Sequence, residues 1–134
     1  MSILNTINAA ILTTLSGGTA LINKLGGTVI YNMQAPKDHP LPYVVWNVQA
    51  GGPRNDTHHD ARDQVVFVRG YANKAKLAGE IDAEISNLLH RGTVNVTGYN
   101  NFWTAREEDL ALVENPPNHE PVYMAGGTYR IRLS

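Results

Sequence analysis

The residues best equipped for chemistry in this 134-residue chain fall into two short charged clusters. The first contains Asp56, His58, His59, Asp60 and Asp63, with Arg54 and Arg62 among them. Imidazole and carboxylate both ligate zinc and other divalent ions, so this cluster has the donors for a metal site. Adjacent side chains on an extended chain point apart, and His58 and His59 share an ion only in a specially shaped loop. A solvated loop is the simpler reading, since polar and charged side chains are mostly exposed. The second cluster is Arg106, Glu107, Glu108 and Asp109. Paired carboxylates can divide acid and base roles when their environments differ. These neighbours on a strand face opposite ways, however, and no pocket-forming sequence surrounds them. Contiguous charge usually marks exposed surface, which favours a solvated edge or an ionic subunit contact.

Other routes to catalysis are poorly supplied. Ser2, Ser16, Ser86 and Ser134 sit in no nucleophile motif such as Gly-x-Ser-x-Gly. The chain has no cysteine, which removes disulfides, thiolate zinc sites and cysteine nucleophiles together, and fits a reducing compartment. Glycine pairs at 17–18, 26–27, 51–52 and 126–127 lack the spacing of a phosphate-binding loop and read as helix stops and turns. Trp46 and Trp103 lie in strand patterns and read as core residues. A formal charge of −1 opposes general polyanion binding, which needs a basic surplus. No cofactor is expected, and the composition supplies no catalytic constellation.

The elements that would position these clusters are legible in order. With 43% hydrophobic and 17% charged residues, the chain reads as one folded domain over 1–134. It is long enough to bury about two thirds of its unfolded surface. No basic segment precedes the first apolar residues, and no apolar run approaches ~18 residues, so neither signal peptide nor membrane span is expected. Ser2 can cap a helix carrying Ile3, Leu4, Ile7, Ile11 and Leu15. Thr19 can cap a shorter one carrying Leu21, Ile22 and Leu25. A strand follows at 28–31, then a loop over 32–39. The centre is a long antiparallel hairpin over 40–71, with Pro40 and Pro42 at its entrance and a loose charged tip. Asn73 can cap a long helix to about His90, with Leu77, Ala78, Ile81, Ile85, Leu88 and Leu89 on its apolar stripe and Gly92 after its end. The last third reads as strands at 93–97, 102–113 and 128–134, with the charges at 106–109 marking a bulge, edge or protrusion. Tyr129, Ile131 and Leu133 take one face of the final strand, Arg130 and Arg132 the other. The fold class is α+β: a mostly antiparallel sheet with a long hairpin, packed by an N-terminal helix and one long central helix.

Several of these pieces in this order resemble a known family. Ile30-Tyr31-Asn32, a proline-containing loop and Pro40-Leu41-Pro42-Tyr43-Val44-Val45-Trp46 are similar to the opening of phage tail completion proteins. Gln64-Val65-Val66-Phe67-Val68, the helix over 73–90 and Thr128-Tyr129-Arg130-Ile131-Arg132-Leu133 continue the resemblance over nearly the whole chain. The proline turn over 114–121 has no counterpart in it. The resemblance implies a small α+β tail terminator of a long-tailed phage or prophage. Such proteins form a hexameric ring that caps the tail tube, ends its polymerisation and joins tail to head. Implied partners are copies of itself, the tail tube protein and head–tail connector proteins. DNA would pass through the lumen without specific binding, no membrane would be involved, and the site would be the head-proximal end of the tail, after assembly in the host cytoplasm. Charge on projections then makes Arg54, Asp56, His58, His59, Asp60, Arg62, Arg106, Glu107, Glu108 and Asp109 the candidate interface residues. A neck or stopper protein of the head–tail connector is the alternative, and a small metal-dependent enzyme built on His58-His59-Asp60 is a further one.

Overall fold

Helix α1 (Ile3–Ser16) forms because Ile7, Ala10, Ile11 and Leu15 recur at helical spacing, and all four are buried. The structure, a computed structural model, describes residues 3–54 and 61–134. Ser2, the expected cap of α1, lies outside the described residues. Helix α2 (Thr19–Leu25) begins one residue earlier than Thr19 would place it: Gly18 is the N-cap, with extended backbone. A Cβ at Gly18 would collide with the Leu88 side chain, so this position holds glycine for close packing. Helix α2 ends as expected on Gly26, whose φ of 77° suits a residue without a Cβ. Helix α3 (Ala75–Leu89) has Lys74 rather than Asn73 at its N-cap, with extended backbone and no cap hydrogen bond from the side chain. At its other end Arg91 carries the positive φ, 59°. Gly92 instead lies so close to the Leu88 carbonyl that a Cβ would overlap it.

Among the described residues, five strands form one sheet in the order β1-β2-β3-β5-β4. They are β1 (Ile30–Asn32), β2 (Tyr43–Arg54), β3 (Ala61–Ala72), β4 (Asn101–Glu114) and β5 (Val122–Leu133). Strand β1 pairs parallel to β2, and every other pairing is antiparallel. Continuous rows cross the whole sheet, one through Ile30, Val44, Gly70, Ala125 and Ala111, another through Asn32, Trp46, Val68, Gly127 and Asp109.

The strands correct the sequence reading in four places. The hairpin is longer than expected, because Gly51, Gly52 and Pro53 continue β2, and Arg62 and Asp63 belong to β3. Above Trp46 β2 has no β1 partner, so Pro53 removes no ladder bond on that side. Gly126 and Gly127 are strand residues, not a turn, for steric reasons: a Cβ at Gly126 would lie 2.5 Å from the Val68 carbonyl oxygen. Residues 93–97 form no strand, although Val94 and Val96 point inward and are buried as expected. Trp103 is 40% exposed, whereas Trp46 is buried and donates from Nε1 to Asn8 Oδ1 at 3.1 Å.

The core lies between the helices and one face of the sheet. Val44, Trp46, Val66, Val68, Tyr129, Ile131 and Leu133 meet Ile7, Ile11, Leu15, Leu21, Ile81, Ile85 and Leu89 there. Each fully buried aliphatic side chain stabilises the fold by about 1.5–3 kcal/mol relative to exposure. The opposite face, with Tyr43, Tyr71, Arg69, Arg130 and Arg132, carries no helix among the described residues.

Candidate interface on the bulged edge strand

Among the described residues, strand β4 lies at the edge of the sheet and pairs only with β5. Its first half is covered by the segment arriving from α3. The Arg91 N–H donates to the Thr104 carbonyl at 2.8 Å, and the Arg106 N–H donates to His90 Nδ1 at 3.0 Å. Those bonds occupy groups that would otherwise form an open edge. The register then shifts between Arg106 and Glu108, the bulge that the charged run suggested. Beyond it, every residue from 107 to 115 is exposed.

Arg106 anchors the bulge. Its NH1 and NH2 donate to the two Asp82 carboxylate oxygens at 2.8 and 3.0 Å. NH1 also donates to the Tyr129 hydroxyl at 3.0 Å, NH2 to the Gly126 carbonyl at 2.9 Å, and Nε to Asp109 Oδ1 at 2.6 Å. All five guanidinium N–H groups therefore have acceptors. Burial opposes the charge on Arg106, but the Asp82 hydrogen bonds and the neighbouring charges outweigh it, so its pKa rises above the ordinary value. Burial also raises the Tyr129 pKa, and the Arg106 cation opposes that rise. Asp82 is thus the helix's contribution to this bidentate pair.

The remaining charges divide between faces. Glu107 accepts from Arg130 Nε at 2.9 Å on the helix-free face. Asp63 lies 4.0 Å from Arg130 and 3.6 Å from Arg132, and Arg132 sits 5.5 Å from the centre of the Trp103 ring. Glu108 is exposed. Of the candidate interface residues, Arg106 is therefore mainly turned into the chain's own network, and its side chain is only 14% exposed. Arg62 is half-buried within β3, opposite Pro53 and Leu133. Asp56, His58, His59 and Asp60, with the Arg54 side chain, lie outside the described residues. Among the described residues, no three His, Asp or Glu side chains are grouped to hold a metal ion. No helix among them is long and apolar enough to cross a membrane.

The sequence reading missed the apolar run immediately after these charges. Leu110, Leu112 and Val113 are 40%, 60% and 52% exposed on the uncovered half of β4. Beside them, an apolar groove of about 360 Å³ runs between Ala75 and Ala78 of α3 and Ala111, Val113, Tyr123 and Ala125 of β4 and β5. Four consecutive apolar residues, 110–113, break the alternation of a half-buried strand, and that was the available signal. A second depression, about 340 Å³, lies on the helix-free face beside Tyr43, Tyr71, Arg69 and His39. There the Tyr31 hydroxyl is 2.8 Å from His39 Nε2, and His39 Nδ1 donates to the Pro40 carbonyl.

A single sheet, one helical layer and a partly bare edge strand are consistent with a part of a larger assembly, and relatives narrow the choice. The family model for "Tail completion protein gp17" matches residues 9–115. The chain belongs to this family of tail completion proteins. Its fold also matches solved structures. One comes from the virion of a native gene transfer agent particle, with a TM-score of 0.75 and 15% identity over 93% of this chain and 92% of that one. Another is the gp17 protein of bacteriophage SPP1, with a TM-score of 0.55 and 17% identity over 97% of this chain and 90% of that one. At these identities the likeness is one of fold. No curated protein matches the sequence.

Proposed function

We propose that this tail completion protein is a non-enzymatic tail terminator: a ring of copies that caps the tail tube, stops its growth and presents the joining surface for the head. The observation that carries the reading is the family match across residues 9–115, which includes the hairpin, α3 and the whole of β4. Its physical basis is shape. A ring needs two different contact surfaces on each subunit, related by a rotation that closes. Exposed apolar side chains on one sheet edge suit such a contact, because large exposed apolar patches mark interaction sites. The formal charge of −1 suits a lumen through which DNA slides without being held.

The test is tube growth. Tail tube protein polymerised with this protein should give tubes of arrested length with added density at one end, seen by electron microscopy. Tubes that grow equally long, with bare ends, would exclude the terminator role. Binding to head vertices instead of tubes would move the protein to the neck of the connector.

A further inference from the structure

Strand β3 turns Phe67, Arg69 and Tyr71 to the helix-free face, because alternate residues share a face and Val66 and Val68 belong to the core. Across the β2–β3 ladder, Asn47 stands opposite Phe67, and Tyr43 opposite Tyr71. These neighbours hold the Arg69 guanidinium in one place. Its Nε donates to the Tyr71 hydroxyl at 3.0 Å and its NH1 to Asn47 Oδ1 at 2.6 Å. Its central carbon lies 4.6 Å from the centre of the Phe67 ring.

Both acceptors are neutral, which sets Arg69 apart from the arginines of β4 and β5. Arg106 meets Asp82, Arg130 meets Glu107, and Arg132 meets Asp63. Arg69 meets no carboxylate among the described residues. Two of its guanidinium N–H groups have acceptors, and the rest have none among the described residues. The Tyr71 hydroxyl accepts from Nε, so its own hydrogen is left to donate. Arg69 and Tyr71 both line the depression of about 340 Å³, beside Tyr43, His39 and Met33. A fixed cation and a phenol donor therefore meet there without an anion.

The surroundings are those of a protein contact. Leu110 lies in the row of Arg69 and Leu112 in the row of Tyr71, and both are exposed, as is Met33. Arginine and tyrosine among apolar side chains are typical of interface centres. The depression is open, and it would leave much of a small acid in water, whereas ligand pockets enclose most of their ligand. Asp38 and Glu114, exposed around it, repel a chain of phosphates more than a single carboxylate.

We propose that this face docks a protein segment, and that Arg69 and Tyr71 receive one aspartate or glutamate carboxylate from it. The planar guanidinium fork matches the two oxygens of a carboxylate. Because Asn47, Tyr71 and Phe67 already fix the guanidinium, little further ordering opposes binding. This contact does not require the ring.

Titration of the full chain with the peptide acetyl-Ala-Phe-Glu-Ala-amide, followed by NMR, tests the site. The Arg69 Nε–H signal and the Tyr43 and Tyr71 amides should shift saturably. The same peptide with glutamine in place of glutamate should bind roughly fivefold more weakly, the difference between a charged and a neutral hydrogen-bond acceptor. Arg69→Gln should abolish the Tyr43 and Tyr71 shifts while the core amides of Ile81 and Ile131 stay in place. Tyr71→Phe removes one donor and one ring hydroxyl only, and should weaken binding even if Arg69→Gln folds poorly. Absence of any shift with the glutamate peptide overturns the proposal. So does equal binding of the two peptides, or a response that survives in a folded Arg69→Gln chain. Oligothymidylate that moves the same signals at lower concentration than the glutamate peptide also overturns it, in favour of nucleic acid.

Discussion

The Arg106 side chain lies against Gly127 so closely that a Cβ on residue 127 would lie 2.7 Å from the guanidinium and 2.5 Å from the Glu108 carbonyl oxygen. The glycine leaves the space in which the guanidinium reaches Asp82, Tyr129 and Gly126 at once. Gly127→Ala must therefore displace Arg106 or push β4 away from β5. Overpacking of this kind typically costs about 1–3 kcal/mol. Urea unfolding should show a lower midpoint at unchanged slope. An unchanged midpoint would mean that the ladder yields freely there.

The Arg106–Asp82 pair should be coupled rather than additive. Both side chains are mostly buried, 14% and 20% exposed, and the contact is bidentate. Arg106→Ala leaves the Asp82 carboxylate in that setting without its fork, and breaking a buried pair in this way costs about 3–5 kcal/mol, less here for the remaining exposure. Arg106→Lys should recover only part, since one ammonium cannot reproduce the planar fork. A double-mutant cycle with Asp82→Asn should give a coupling of roughly 0.5–3 kcal/mol. Near-zero coupling would show that packing, not the ion pair, holds the bulge.

Alkaline pH should weaken the fold through Tyr129. Burial raises its folded pKa above the unfolded value of about 10. The folded state thus retains a proton that the unfolded chain loses. Its contribution is fully present below pH ~10 and is lost as pH rises through the folded pKa. Tyr43, also raised chiefly by burial, acts in the same direction. Tyr129→Phe should flatten the decline above pH ~10 in a stability–pH profile, and an identical slope in the variant contradicts this assignment.

The two tryptophans should report separately. Trp46 is 2% exposed and bonded to Asn8, while Trp103 is 40% exposed near Arg132. Fluorescence of Trp103→Phe, which retains Trp46, should resist iodide quenching. Trp46→Phe should be quenched readily. Equal quenching of the two would place Trp46 in solvent.

These residues also indicate how much of the fold was legible. Helical spacing identified α1 and α3, and alternation placed Tyr129, Ile131 and Leu133 on the inner face, because both patterns are local consequences of burial. The glycine pairs were half legible. Gly17-Gly18 and Gly26-Gly27 end helices as glycines do, but Gly126-Gly127 serves neighbours distant in sequence, Val68 and Arg106. No local pattern carries that information. The same holds for Arg106, whose charge suggested a projection while its partners on α3 and β5 turn it inward. Trp103 followed a strand pattern, but the position of β4 at the edge left it half uncovered. The exposed run Leu110–Val113 was visible as a break in alternation, yet only the sheet order revealed that nothing in the described chain covers it.

The central claim is ring formation on the tail tube, and native mass measured across protein concentrations, with and without purified tail tubes, tests it most directly. The account predicts a discrete closed oligomer, either free at high concentration or assembled on tube ends, with no intermediate series extending beyond it. A chain that remains monomeric at every concentration and leaves tube ends bare would contradict it.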